Sequence, residues 1–253
     1  MSKKTSPIAT SQRRIIIIGA TSGIGREVAQ IYIAQGHIVG LAARHTNILS
    51  EIQNNRKNIF TATIDICSHD APEKLEHLIK QMGGIDLIIH SSGIGYINPQ
   101  LDPASELETI DTNVKGWTAI IDWAFLYLLK QGYGHLVAIT SIASLRGLAP
   151  APAYSASKAY QAHYLEALQQ RVVKTGLPIT ITNIRPGFIR TPLLPNPDKF
   201  FWVIDTYKAA HAIVKALKQR RPIVTIPYRW RLMIPFINLM PNNIIAHLIA
   251  RKI

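Results

Sequence analysis

Short, almost wholly apolar runs alternate along the chain with longer stretches in which apolar residues recur every three or four positions. The first run, "RRIIIIGATSGIG", is β-branched and ends in glycines, as a parallel strand buried on both faces does where it turns into a helix. A helix is predicted over roughly 24–35, Gly36 breaks it, and "HIVGLAAR" reads as a second strand. "NIFTATIDI" reads as a third strand, "APEKLEHLIKQM" as a helix with Pro72 in its first turn, and "GIDLIIHSSG" as a fourth strand closed by Gly93. A long helical stretch around 105–131, the strand "GHLVAITS", a helix from about 154 to 174 and the strand "PITITNIRPG" extend the alternation. A helix over 206–220 and the strand "PIVTIPY" close it. Parallel strands need crossover connections, so the pattern predicts an α/β fold: one doubly wound parallel sheet. The chain has 253 residues, 47% of them apolar, and no linker-like run or repeat between Arg14 and Ile226. It reads as a flexible basic start over 1–12, one domain over 13–228, and a basic, apolar, amphipathic C-terminal extension over 229–253.

Charge changes this picture only at the ends. The net charge is +13, yet residues 15–205 carry 15 Lys/Arg against 15 Asp/Glu. Lys3, Lys4, Arg13 and Arg14 stand without an acid at the start, and nine further cations follow Asp205 with no carboxylate among them. A nucleic-acid-binding protein needs cations and aromatics along a groove of its folded body, and a neutral body does not offer the charge. No nucleic-acid partner is expected. The lone Cys67 forms no intramolecular disulfide, and "MSKKTSPIATSQRR" lacks the apolar core of a secretory signal, so a reducing cytoplasm is expected. No metal site is expected.

Gly19, Gly23 and Gly25 fall where the first strand meets the first helix. Backbone N–H groups and the helix N-terminus there can face a pyrophosphate with no Cβ in the way. A glycine turn needed only for its backbone angles is the plain alternative. The position directly after a predicted strand favours the dinucleotide. After the second strand an NAD ribose calls for a carboxylate, but the chain has Ala42, Ala43, Arg44 and His45. Arg44 suits a 2′-phosphate, so NADP(H) is expected ahead of NAD(H).

In "YSASK", Tyr154 and Lys158 stand four residues apart, on one face of a helix. A free phenol titrates near ~10, and a neighbouring ammonium lowers that value, which readies the tyrosine to exchange a proton. Ser141 closes the fifth strand at the carboxyl edge, where doubly wound sheets place their ligands, and Asn113 lies in the long helix before it.

Together these motifs resemble the short-chain dehydrogenase/reductase family in its single-domain form, over about residues 13 to 228. The resemblance is carried by "GATSGIG" at 19–25, Asp65 after the third strand, "NVKG" at 113–116, Ser141, Tyr154, Lys158, and "RPGFIRT" at 185–191. It implies a Rossmann-type fold and a hydride moved between a nicotinamide and a carbonyl or secondary alcohol. Tyr154 would be the general acid/base, Ser141 would hydrogen-bond the substrate oxygen, and Lys158 would hold the ribose while lowering the tyrosine pKa. Asn113 would order a water behind Lys158 as a proton relay. Gly19, Ser22, Gly23, Ile24 and Gly25 would bind the cofactor at the glycine turn, and Asp65 and Ile66 beside its adenine. Gly93, Pro186 and Gly187 would complete the cofactor site, with Ile189 and Thr191 near the carboxamide and phosphates.

There are departures. His90, Ser91, Ser92 and Gly93 stand where the family has Asn-Asn-Ala-Gly, and Ile18 stands where a Thr usually opens the glycine motif. Ser91 offers fewer hydrogen bonds than the asparagine that ties the sheet's centre together. His90 reads as a packed, hydrogen-bonded strand-end residue, because the proton chemistry already has its groups.

"IASLRGLAPAPA" and "TPLLPNPDKFFWVI" should wall the substrate, with Leu193, Leu194, Phe200, Phe201 and Trp202 available to cover the nicotinamide. An apolar wall suggests a lipophilic small-molecule carbonyl or alcohol; closing the core or a subunit contact is the alternative. Arg146 and Lys199 remain to meet an acidic group. Residues 232–250 carry no charge, yet Pro235 and Pro241 argue against a spanning helix. Trp230, Leu232, Met233, Phe236 and Leu239 suit an interfacial segment, with Pro235 in a first turn and Arg229, Arg231, Arg251 and Lys252 on anionic headgroups. That reading makes the protein peripheral at a membrane. Packing of the tail over the substrate site or against another subunit stays open. The resemblance also implies a homodimer or homotetramer formed through the long helices. The rival function from another class is a non-catalytic dinucleotide-binding sensor acting through its basic ends.

Overall fold

The computed structural model describes residues 12–250, with side chains to His247, so most of the start expected to be flexible, and Arg251 and Lys252, lie outside the described residues. The described strands are β1 (Arg14–Ile18), β2 (Ile38–Ala43), β3 (Ile59–Thr63), β4 (Leu87–His90), β5 (Gly134–Ile139), β6 (Ile179–Pro186), β7 (Ile189–Arg190), β8 (Ile204–Asp205) and β9 (Ile223–Ile226). The helices are α1 (Gly23–Ala34), α2 (Thr46–Gln53), α3 (Ala71–Met82), α4 (Pro103–Ile110), α5 (Trp117–Gln131), α6 (Pro152–Thr175), α7 (Thr206–Leu217), α8 (Arg229–Leu239) and α9 (Asn242–Ala250). Seven strands form one parallel sheet in the order β3-β2-β1-β4-β5-β6-β9, and β7 and β8 pair as a small separate ribbon.

β1 shows why the strands read as unbroken apolar runs. Ile15 and Ile17 point into one core layer with Val28 of α1, Leu49 of α2 and Ile213 of α7. Ile16 and Ile18 point into the other, with Leu75 of α3, Phe125 of α5 and Leu165 of α6. Both pleat faces are covered, so alternation disappears. The short α2 was not anticipated, since only Leu49 and Ile52 are buried on it, too few for a periodic signal. The strand order reverses between β1 and β4, which opens a crevice at the carboxyl edge.

Arg14 is not the unpaired cation that the charge count suggested. Its guanidinium meets Asp86 at 3.0 Å, its main-chain N–H donates to the same carboxylate at 2.7 Å, and Nη1 reaches the carbonyl of Gly83 at 2.6 Å. Burial pushes the Asp86 carboxyl up, and the Arg14 bonds outweigh that and hold it below the usual carboxylate range.

The tail forms two helices, and Pro235 lies inside α8, beyond the first turn expected for it. Trp230 of α8 is 5% exposed, while Leu232, Phe236 and Leu239 on the other side are 60%, 65% and 83% exposed. Among the described residues no helix is long and apolar enough to cross a membrane.

Candidate active site

β1 delivers the chain to Gly19, whose φ of +87° favours glycine. A Cβ on Gly19 would lie 2.7 Å from the Ser92 main-chain nitrogen, and one on Gly25 would collide with the Gly19 carbonyl. These glycines let strand, loop and helix approach each other backbone to backbone. α1 begins at Gly23, has no acid in its first turn, and its N-cap Ser22 makes no capping bond with its hydroxyl. The exposed N-terminus is suited to an anion. Ile24 is half-buried behind it. At the end of β2, buried Ala43 leads directly to exposed Arg44 and His45, with no carboxylate at this position. Past β3, Asp65 is exposed and accepts the Cys67 N–H at 3.0 Å, while Ile66 is buried. Thr191 reaches the glycine turn from the far side of the crevice, its methyl 3.4 Å from where a Gly23 Cβ would stand. The residues present thus fit a dinucleotide phosphate at the turn.

Ser141 follows β5, where its Oγ accepts the Ala143 N–H at 3.0 Å. Tyr154 and Lys158 share a face of α6, with Nζ 5.7 Å from the ring centroid. The expected lowering of the phenol does not appear. Loss of solvent raises Tyr154, and the neighbouring Ser141 hydroxyl offsets this only in part. Burial is the physical reason; Lys158 Nζ, close to the ring, donates to Gln161 Oε1 at 3.0 Å and to the Ile139 carbonyl at 3.4 Å. Burial alone brings Lys158 down to about 8.

The expected helix over 105–131 is interrupted by a π turn, Asp111–Gly116, centred on Asn113. Such a turn inserts a residue and re-aims its neighbours, often at functional sites. Buried Asn113 accepts the Ile94 N–H at 3.0 Å and donates to the Ile94 carbonyl at 2.7 Å and to Ser157 Oγ at 3.1 Å. Its amide therefore fixes the loop after β4. Within that loop Gly93 sits against Lys158, and Gly95 lies flat under the Tyr154 ring, where a Cβ would collide with Cδ2.

Comparison with known proteins follows this geometry. The sequence model described as short chain dehydrogenase matches residues 13–199. The chain belongs to the short-chain dehydrogenase family. It is 30% identical over 242 residues to an uncharacterized oxidoreductase of Myxococcus xanthus, covering 92% of this chain and 94% of the relative. Two solved structures share the fold. A short-chain dehydrogenase from Sphingobium yanoikuyae in complex with NADPH has a TM-score of 0.75 at 18% identity, covering 87% of this chain and 92% of that one. One from Burkholderia phymatum in complex with NAD has a TM-score of 0.79 at 16% identity, covering 95% and 97%.

In this short-chain dehydrogenase, His90 at the end of β4 is packed edge-on to Trp117 at 6.2 Å. It is packed as expected but not hydrogen-bonded as expected, for neither ring nitrogen has a partner among the described residues. Burial and then the nearby Lys158 bring it down to about 3, so it is a neutral ring. Pro186 is buried and Gly187 lies against the Trp230 indole, where a Cβ would collide with Nε1. Ile189, on the ribbon, is 5% exposed. Trp230 completes an aromatic wall with Phe188, Phe201 and Trp202 at ring separations of 5.7, 5.3 and 5.3 Å. The tail thus packs onto the candidate substrate side, one of the arrangements left open from the sequence. Arg146 is taken up by the tail and not by an acid. Its guanidinium bonds the carbonyls of Ile237, Asn238 and Met240 and the side chain of Asn242. Sequence reasoning missed Gly95, Gln161 and the wall position of Trp230. The "GIG" spacing at 93–95 was the one signal available for the first.

Proposed function

We propose that this short-chain dehydrogenase uses NADP(H) to move a hydride between the nicotinamide and the carbonyl or secondary-alcohol carbon of a lipophilic small molecule. The observation that carries the reading is geometric: Tyr154 and buried Lys158 share a face of α6, with Nζ 5.7 Å from the ring centroid, at the carboxyl edge of the sheet where Ser141 follows β5. When bound, the cofactor supplies or accepts the hydride; the chain's own groups handle the proton. In reduction Tyr154 gives its phenolic proton to the substrate oxygen, which Ser141 holds. Lys158, charged in the same low-dielectric surroundings, stabilises the phenolate left behind. Arg44 and the missing carboxylate after β2 favour the 2′-phosphate of NADP(H) over NAD(H). The NADPH bound by the Sphingobium relative agrees with that, and the NAD bound by the Burkholderia one marks the alternative. Lipophilicity rests on the aromatic wall. The test is a panel of ketones and aldehydes with NADPH and NADH, following the absorbance of the reduced cofactor. Turnover favouring NADPH supports the proposal. Cofactor binding with no turnover of any carbonyl would point to the dinucleotide-binding sensor instead.

The same proposal extends to the outer face of α8. Leu232, Phe236 and Leu239 form an exposed apolar stripe, Arg229 and Arg231 flank its start, and no carboxylate follows Asp205. Charge complementarity selects an anionic membrane surface, at about 1 kcal/mol for each cation near it. Liposome flotation tests this: binding to anionic but not neutral vesicles, weakened by salt, is expected, and a protein that stays soluble with every lipid overturns it. Assembly as a homodimer or homotetramer through α5 and α6, where Leu126 and Val173 are 59% and 81% exposed, belongs to the same reading. Sedimentation velocity checks it.

A further inference from the structure

Gln161 lies on α6 three residues beyond Lys158, and it is 0% exposed. A buried primary amide must satisfy donors and an acceptor inside the protein. Here Oε1 accepts from Lys158 Nζ at 3.0 Å, and Nε2 donates to the Asn113 main-chain carbonyl at 2.8 Å. The two partners settle which end is which. An ammonium only donates and a carbonyl only accepts, so exchanging oxygen and nitrogen would break both bonds. The amide therefore bridges the lysine to the π turn, across 48 residues of sequence.

We infer that Gln161 is a positioning residue for the proton chemistry, holding Lys158 as a charged ammonium beside Tyr154 and locking it to the Asn113 turn. The inference rests on the roles proposed above for Tyr154 and Lys158. Each element packed against the ammonium contributes something uncharged. Tyr154 of α6 presents its ring at 5.7 Å, β4 presents the neutral His90, β5 the Ile139 carbonyl at 3.4 Å, and the loop after β4 brings Gly93 close. Among the described residues no carboxylate acts on it. Gln161 Oε1 is the nearer of its two acceptors, so losing it makes the charged form of a buried lysine harder to keep. Lys158 then gives up its proton at lower pH, and the Tyr154 phenolate loses its neighbouring cation.

The experiment compares Gln161→Leu and Gln161→Glu with the unaltered protein. Lys158 is titrated by NMR with ¹³C at the lysine ε-carbons, its signal identified by its loss in Lys158→Met. Gln161→Leu is expected to move that titration down by about one pH unit and kcat down about 10-fold, with the alkaline limb of the rate profile following the lysine. Gln161→Glu sets a carboxylate against the ammonium and is expected to move titration and limb up. An unchanged Lys158 titration in either folded variant overturns the inference, even if stability falls, because a purely structural amide would cost stability without moving the lysine. The titration needs no substrate. A protein that reduces no carbonyl therefore overturns the proposed reaction separately from the assignment of Gln161.

Discussion

Alanine in place of Gly95 is a test of Tyr154 that never touches Tyr154. The added Cβ would lie 3.0 Å from both Cγ and Cε2 of the tyrosine ring, and closer still to Cδ2, where ordinary contact begins at 3.4 Å. The ring must therefore withdraw by roughly 1 Å. Gly95 is not among the residues with positive φ, so alanine adopts its backbone without strain and the perturbation is purely one of packing. Overpacking of this kind costs about 1–3 kcal/mol, a fall in Tm of several degrees for a chain of this length. The rate should suffer more, because moving a proton donor by ~1 Å costs on the order of 10²-fold. The assay is kcat with NADPH and the best carbonyl of the panel, alongside Gly147→Ala as a control, where a Cβ would meet nothing within 4 Å. Because both changes act on one group, Gly95→Ala combined with Tyr154→Phe should be no slower than Tyr154→Phe alone. A folded Gly95→Ala enzyme turning over within threefold of the parent, or losses that multiply in the double variant, would refute the placement of Tyr154 as the proton donor.

Tyr154→Phe alone should cut turnover by about 10²–10⁴ while leaving NADPH binding, read by fluorescence titration, close to the parent's. Arg44→Asp should erase or reverse the NADPH preference by about 10–100-fold in the ratio of kcat/KM values, since attraction to the 2′-phosphate becomes repulsion. Asp86→Asn should lower Tm at pH 7. The folded-state pKa of Asp86 is depressed, so its contribution is present above the unfolded carboxyl's pKa of about 4 and fades as pH falls below it. The parent and Asp86→Asn melting curves should accordingly converge under acid conditions in a calorimetric pH series. Parallel curves at all pH values would show that the Arg14 pair does not supply it.

The sheet strands and most of the helices were readable from residues alone because their causes are local. A strand buried on both faces must be apolar throughout, as β1 is, and the turn into α1 must be glycine where backbone meets backbone at Gly19 and Gly25. The order of Ser141, Tyr154 and Lys158 carried the candidate chemistry for the same reason, since four-residue spacing on a helix is a short-range fact. What failed depended on partners remote in sequence. The phenol is raised and not lowered because it is buried, and only the packing of α6 against the sheet and the loop after β4 decides that burial. Nothing in the run from 105 to 131 announces the π turn at Asn113, since its bonds are to Ile94, Ser157 and Gln161. Arg146 looked free for a ligand until the tail, more than 90 residues later, placed its carbonyls around the guanidinium. Local propensity and pattern determine the elements and their order; the direction of a buried side chain, and so its charge and role, is decided by which distant neighbours satisfy it once water is gone.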